Sequence, residues 1–108
     1  MPFDVIWSEL AKGDLDDLYN YYLQKSVDVA VRLHNGIIDE SEKLAYNPEI
    51  APFEQTIKQP SNKYRSLLVS KGRFKLVYSV EDSTVKIVCV WGCRQNPVRL
   101  RKTVKRRI

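Results

Sequence analysis

The chain has 108 residues, of which 44% are hydrophobic and 29% are charged, so it predicts one domain with a modest core and is not disordered by composition. No apolar run approaches the ~20 residues that a membrane helix needs, and the first four residues, Met1-Pro2-Phe3-Asp4, lack the basic start and apolar core of a signal peptide. We therefore expect a cytoplasmic protein that makes no contact with a membrane.

The net charge of +5 is divided unevenly along the chain. Residues 1–54 carry four bases and eleven acids, whereas residues 55–108 carry fourteen bases and two acids. Residues 94–108 hold seven bases and no acid. This asymmetry predicts a nucleic acid or an acidic protein as the partner of the second half, although a solvated basic surface would carry the same charges.

The first half of the chain predicts a strand followed by two helices. Residues 4–8 predict a short strand, in which Phe3, Val5 and Trp7 share one face and Asp4 and Ile6 lie on the other. Ser8 can cap the next helix, and a second helix is predicted to start near residues 26–28 and to stop at Asn47-Pro48. Residues at helical spacing mark the buried faces of the two helices: Leu15, Leu18, Tyr19, Tyr22 and Leu23 in the first, and Ala30, Leu33, Ile37, Ser41 and Leu44 in the second.

The second half predicts three strands after an irregular connection at residues 47–63, which contains three prolines. The strands are residues 64–69, residues 73–80 and residues 84–92, the last of which is apolar on both faces at its far end and so is typical of a central strand. The sequence therefore predicts an α+β fold in the order β-α-α-β-β-β, with a helical hairpin packed on one face of a small, mainly antiparallel sheet. We expect one domain at residues 1–97 and a basic C-terminal tail at residues 98–108 that is poorly ordered or loosely helical.

The loop between the second and third strands decides which side chains meet. Residues 70–72 suit a three-residue hairpin loop with Gly72 in the left-handed conformation. Val69 would then pair with Arg73, Leu67 with Lys75, and Arg65 with Val77, so that Arg65, Arg73 and Lys75 share one sheet face. A two-residue turn at residues 71–72 would shift the register by one and separate Arg65 from Lys75.

Arg94 follows the last strand and can extend this basic patch. Arginine binds phosphate through two hydrogen bonds, so four cations on a half-open sheet suit a polyanion. If the ligand is RNA, they can stabilise the charge that develops on phosphorus during cleavage. Cleavage also needs a general base and a general acid; Glu54 in the connection could reach the patch, whereas His34 is predicted to lie away from it on the second helix.

The cysteines and the single histidine predict no metal site and no cofactor. Cys89 and Cys93 lie four residues apart in a strand-like segment, roughly 13 Å end to end, which is too far for a disulfide. Zinc needs about four ligands, and His34 is distant in sequence. We expect both cysteines to be buried as small apolar residues.

Several segments together resemble the core of the RelE/ParE toxin superfamily. They are Tyr64–Val69, residues 72–82, residues 85–90 and the run WGCRQNP at residues 91–97, and the helical hairpin before them matches too. The resemblance implies the toxin of a type II toxin–antitoxin system that a cognate antitoxin holds inactive.

The two branches of the superfamily imply different targets. In the RelE-like branch the toxin cleaves mRNA on the ribosome, and Arg65, Lys75 and Arg94 match the basic catalytic positions of that branch. Leu67 stands where a second lysine is common there, and the branch's C-terminal tyrosine or histidine has no counterpart in this sequence. In the ParE-like branch the toxin inhibits DNA gyrase and needs no nuclease site.

Three hypotheses follow for the function. The first is an mRNA endonuclease that acts with the ribosome, with Arg65, Lys75 and Arg94 as catalytic residues. The second is a non-enzymatic inhibitor of DNA gyrase, and the third is a degenerate toxin kept as a DNA- or antitoxin-binding module. Further contacts with nucleic acid are expected from five bases, namely Lys71, Arg73, Arg99, Arg101 and Lys102.

Overall fold

The computed structural model describes residues 2–57 and 63–108, and its elements confirm the predicted α+β fold and the β-α-α-β-β-β order. Part of the predicted irregular connection, including Pro60, lies outside the described residues. None of the described helices is long and apolar enough to cross a membrane. The elements in chain order are β1 (Asp4–Trp7), α1 (Glu9–Leu23), α2 (Val27–Ser41), a 3₁₀ turn (Glu42–Ala45), β2 (Tyr64–Val69), β3 (Phe74–Glu81), β4 (Thr84–Gly92) and α3 (Pro97–Arg107).

Each of the three helices begins at a polar N-cap residue. The Ser8 hydroxyl accepts the N–H of Ala11 at 3.1 Å, as predicted, and Ser26 caps α2 in the same way. The Asn96 side chain accepts the N–H of Val98 at 2.9 Å, and Pro97 occupies the first turn of α3. Proline suits that position because its missing N–H has no partner inside the helix. Asn96-Pro97 is therefore a local signal for the start of a helix where a tail was predicted.

The sheet has the strand order β1-β4-β3-β2, with β1 parallel to β4 and the other two pairings antiparallel. The expected central position of β4 is confirmed. The α1–α2 hairpin covers one face of the sheet, called here the hairpin face. Its buried core contains Leu15, Ile37 and Leu44, which lie on the predicted buried faces of the helices, packed with Leu76, Tyr78 and Ile87 of the sheet.

A β-bulge in β4 changes which of its side chains face the hairpin. Val77 pairs with Cys89 whereas Tyr78 pairs with Ile87, so Val88 is an extra residue. Val88 and Cys89 both pack on the face opposite the hairpin. Strict alternation from Ile87 would place Cys89 under the hairpin, but the bulge interrupts that alternation and turns Cys89 to the opposite face.

The two cysteines have different environments. Cys89 is buried, and burial raises the pKa of its thiol to about 12, so the thiol stays protonated at neutral pH. Cys93 lies in the turn after β4 and is exposed, so the expectation that it is buried is wrong. Both thiols are free.

The second face of the sheet, called here the α3 face, is covered by the C-terminal helix. Leu100 and Val104 are completely buried there in a cluster with Val77, Val88, Cys89 and Trp91. Residues 100 and 104 lie one turn apart on the same side of a helix. The segment that was expected to be, by itself, poorly ordered or loosely helical forms an ordered helix on the domain, because this apolar pair anchors an otherwise basic sequence.

Candidate functional site

The β2–β3 loop has four residues and not the predicted three. Val69 pairs with Phe74, and Ser70, Lys71 and Gly72 have φ angles of 54°, 57° and 81°. The left-handed conformation of Gly72 is confirmed, but the predicted register is wrong by one residue.

A contact from α2 explains why this loop forms. The Glu40 carboxylate accepts the backbone N–H of Ser70 at 2.9 Å. This bond holds Ser70 in a left-handed conformation that non-glycine residues seldom adopt. Glu40 lies thirty residues earlier in the chain, so local turn rules do not detect it.

The shifted register places the two predicted strand cations on opposite faces of the sheet. Arg65 pairs with Tyr78 and shares the hairpin face with it, whereas Lys75 pairs with Leu68 on the α3 face. Arg73 lies in the loop and is exposed. The predicted convergence of Arg65, Arg73 and Lys75 on one face is therefore wrong.

Arg65 ties the connecting segment to the edge strand β2. Its Nη1 donates to the carbonyl of Ala51 at 2.8 Å and to that of Glu49 at 3.4 Å. Its guanidinium lies 4.0 Å from the ring centroid of Phe53, which also forms a β-bridge with Arg65. Only 17% of the Arg65 side chain is exposed. Its guanidinium therefore binds groups of the same chain.

Lys75 forms an ion pair with Glu54, whose side chain is only 5% exposed. The Lys75 ammonium lies 2.5 Å from Glu54 Oε1, which also accepts the Ser66 hydroxyl at 2.6 Å. Glu54 Oε2 accepts the N–H and the hydroxyl of Thr56 at 3.0 and 2.7 Å. The expectation that Glu54 could reach the basic residues thus holds for Lys75 alone among the strand cations.

The environment of Glu54 fixes its charge. Burial by itself would raise the pKa of this carboxyl group, but hydrogen bonds from Lys75, Ser66 and Thr56 outweigh it and lower the pKa to about 2. The carboxylate is therefore ionised at neutral pH and neutralises the Lys75 ammonium. Sequence reasoning missed Ser66 and Thr56, and Thr56, two residues after Glu54, is the only local signal for this network.

The remaining predicted site residues are exposed. Lys71 and Arg73 lie in the β2–β3 loop, and Arg94 lies in the turn after β4. The N–H of Cys93 donates to the carbonyl of Arg73 at 2.9 Å. This hydrogen bond joins the turn that contains Arg94 to the β2–β3 loop. On α3, Arg99, Arg101 and Lys102 are exposed.

His34 remains with the helical hairpin, as expected. Its ring lies 5.5 Å from that of Tyr19 in an edge-to-face arrangement. This places the histidine on a different side of the sheet from Lys75.

Two solved structures share this fold. A chain of the chromosomal ParDE toxin–antitoxin system from P. aeruginosa superposes with a TM-score of 0.69 at 16% identity, over 83% of this chain and 95% of that chain. The E. coli toxin RelE in the free state, a variant with two arginines replaced by alanine, gives a TM-score of 0.65 at 16% identity, over 100% of both chains. The fold is thus the one found in toxins of toxin–antitoxin systems.

The sequence identifies the family within this class. Residues 5–97 match the model for the ParE toxin of the type II toxin–antitoxin system parDE, and the chain belongs to that family. The predicted resemblance to RelE/ParE toxins is confirmed. No curated protein sequence matches the chain significantly.

Proposed function

We propose that this ParE-family toxin arrests growth by binding DNA gyrase as a protein inhibitor and that it does not cleave RNA. The observation that carries the proposal is the placement of Arg65 and Lys75 on opposite faces of the sheet, each held by acceptors of its own chain. This separation argues against joint action of the two cations on one scissile phosphate.

The chemistry of the Glu54–Lys75 pair argues in the same direction. Cleavage of RNA through the 2′-hydroxyl is most efficient with a general base whose pKa lies near the working pH. A carboxylate whose pKa is about 2 binds protons too weakly for that role. Lys75 would also have to leave a buried carboxylate uncompensated before it could bind a phosphate, and such a step typically costs a few kcal/mol.

The proposed partners follow from the family. ParE-family toxins pair with a cognate antitoxin, and we infer that this chain is held inactive by one in the cytoplasm. The first half of the chain is strongly acidic and the second half strongly basic, so charge complementarity can contribute to the binding of such a partner. DNA gyrase is the proposed target once the antitoxin is lost.

A double substitution tests whether Lys75 has a structural or a chemical role. Lys75→Ala alone would leave Glu54 buried without its counter-charge, so loss of toxicity could reflect unfolding. The pair Glu54→Gln with Lys75→Met removes both charges. The introduced amide would keep its oxygen for the two Thr56 donors, and its NH2 group can donate to the Ser66 hydroxyl oxygen, which accepts instead of donating. We expect this double variant to stay folded, as measured by circular dichroism, and to arrest growth as the wild type does.

The mRNA endonuclease hypothesis predicts a different outcome. A nuclease that depends on Arg65, Lys75 and Arg94 should lose growth arrest in the double variant even when its melting curve matches that of the wild type. That result would contradict the proposed function and favour a catalytic Lys75.

A further inference from the structure

The helix α3 has two sides of opposite character. Leu100 and Val104 are completely buried against the sheet, and Arg107 on the same side is engaged by Asp14. The outer side carries five exposed bases: Arg99, Arg101, Lys102, Lys105 and Arg106. Residues 94–108 contain no acid, so these charges are not compensated within the segment.

The five bases form one continuous surface. With 3.6 residues per turn they fall within an arc of about 160° that is centred opposite Leu100, and they extend over roughly 10 Å of the helix axis. In residues 2–57 and 63–108, none of the ion pairs involves any of the five. Their charges are therefore available to a ligand.

The basic surface continues beyond the helix. Arg94 lies in the turn that leads into α3, and the backbone N–H of the neighbouring Cys93 donates a hydrogen bond to the carbonyl of Arg73 in the β2–β3 loop. Arg73 and Lys71 are exposed there. The outer side of α3 and this end of the sheet together define what we call the basic face.

We propose that the basic face binds the phosphate backbone of duplex DNA. The choice of DNA as the polyanion rests on the proposed gyrase target, because gyrase acts on DNA. A protein partner fits less well, since the cores of protein interfaces are enriched in aromatic residues, and residues 97–108 contain none. The exposed apolar residues of segment 97–108 are Pro97, Val98 and Ile108, which lie at its two ends. Binding through phosphates requires no such apolar anchor.

The salt dependence of DNA binding measures the number of phosphate contacts. The probe is a fluorescein-labelled duplex of arbitrary sequence, titrated with the purified full chain between 50 and 200 mM salt and followed by fluorescence anisotropy. If the five bases of α3 each contact one phosphate, the expected slope is roughly −4.5 for log affinity against log salt, which is a loss of about 500-fold over this range, and contacts from Lys71, Arg73 or Arg94 would make the slope steeper. The triple variant Arg101→Gln, Lys102→Gln and Lys105→Gln should lose about three contacts, so its affinity for the duplex should fall only about 10-fold over the same salt range.

A second triple variant controls for net charge. This variant removes three positive charges as well, but from exposed positions in or beside the helical hairpin: Lys12→Gln, Lys25→Gln and Lys43→Gln. We expect it to bind DNA with the wild-type affinity and slope. An equal loss in both variants would overturn the proposal, because the attraction would then follow net charge and not the basic face.

Two further outcomes would overturn the proposal by naming another ligand. One is tighter binding of a single-stranded RNA of the same length than of the duplex. The other is DNA binding that is unchanged in the Arg101/Lys102/Lys105 variant while binding to purified cognate antitoxin weakens. The titration contains no gyrase, so a toxin that inhibits gyrase but binds no DNA refutes this inference alone. A toxin that binds DNA through α3 but leaves gyrase active refutes the proposed function alone.

Discussion

Arg107 and Asp14 join the C-terminal helix to α1 across the end of β4. The guanidinium donates to both carboxylate oxygens, at 2.7 and 2.9 Å. The same two side chains also form hydrogen bonds with the backbone of β4. Arg107 Nη1 donates to the Val88 carbonyl at 2.9 Å, and Asp14 Oδ2 accepts the Val90 N–H at 3.0 Å. Since β1 pairs with β4 only as far as Ile87, the ion pair takes the place of a neighbouring strand beyond that point.

Arg107→Ala should therefore destabilise the whole domain and not only α3. The change leaves a largely buried Asp14 without its counter-charge and the Val88 carbonyl without a donor, and we expect a loss of about 2–4 kcal/mol in the free energy of unfolding. Urea denaturation monitored by tryptophan fluorescence measures it. Arg106→Ala is the matched control, because Arg106 is exposed and should change stability by less than about 0.5 kcal/mol. Equal losses in the two variants would contradict this role of Arg107.

The Glu54 network predicts a specific dependence of stability on acid. The folded pKa of Glu54 is about 2, below its usual value of 4.5, so its contribution is fully present above pH 4.5 and is lost as the pH falls towards 2. A depression of this size corresponds to about 3 kcal/mol. We expect Glu54→Gln to be less stable than the wild type at pH 7 and to differ from it progressively less between pH 4.5 and pH 2. A constant difference across that interval would show that the charge of Glu54 does not stabilise the fold.

Two leucines test the register of the β2–β3 hairpin. Leu76 is completely buried on the hairpin face, whereas Leu68 on the opposite face is 61% exposed. Leu76→Ala should cost about 2–5 kcal/mol, and Leu68→Ala should cost less than about 1 kcal/mol. Chemical denaturation of both variants makes the comparison, and similar losses would mean that the faces are assigned incorrectly.

The helices and the hairpin face were predictable because their signals are local. Ser8 marks the start of α1 by its own chemistry, and the alternation of Phe74, Leu76, Tyr78 and Val80 defines one face of β3 without reference to any partner. Ser26 likewise starts α2 where it was predicted. The predicted stop at Asn47-Pro48 is late, because α2 ends at Ser41 and a 3₁₀ turn continues only to Ala45. These local signals are sufficient to predict most elements of the fold.

The site was less predictable because it depends on contacts between distant parts of the chain. The four-residue loop is held by Glu40, thirty residues earlier, and the bulge at Val88 changes the facing of Cys89 without any local marker. One residue of register was enough to move Arg65 away from Lys75. The order of α3 depends on the burial of Leu100 and Val104. Two apolar residues at helical spacing are a weak signal for a buried helix in a segment with so many basic residues.

Inhibition of DNA supercoiling by purified gyrase tests the central claim most directly. The folded wild-type toxin, freed from its antitoxin, is titrated against gyrase acting on relaxed plasmid, with the Glu54→Gln, Lys75→Met double variant in parallel. A toxin that acts by binding gyrase should abolish supercoiling at concentrations comparable to that of the enzyme, and the double variant should do so equally well. The account is contradicted if gyrase keeps its full activity in a large excess of folded toxin while primer extension in induced cells reveals new 5′ ends within ribosome-bound mRNA.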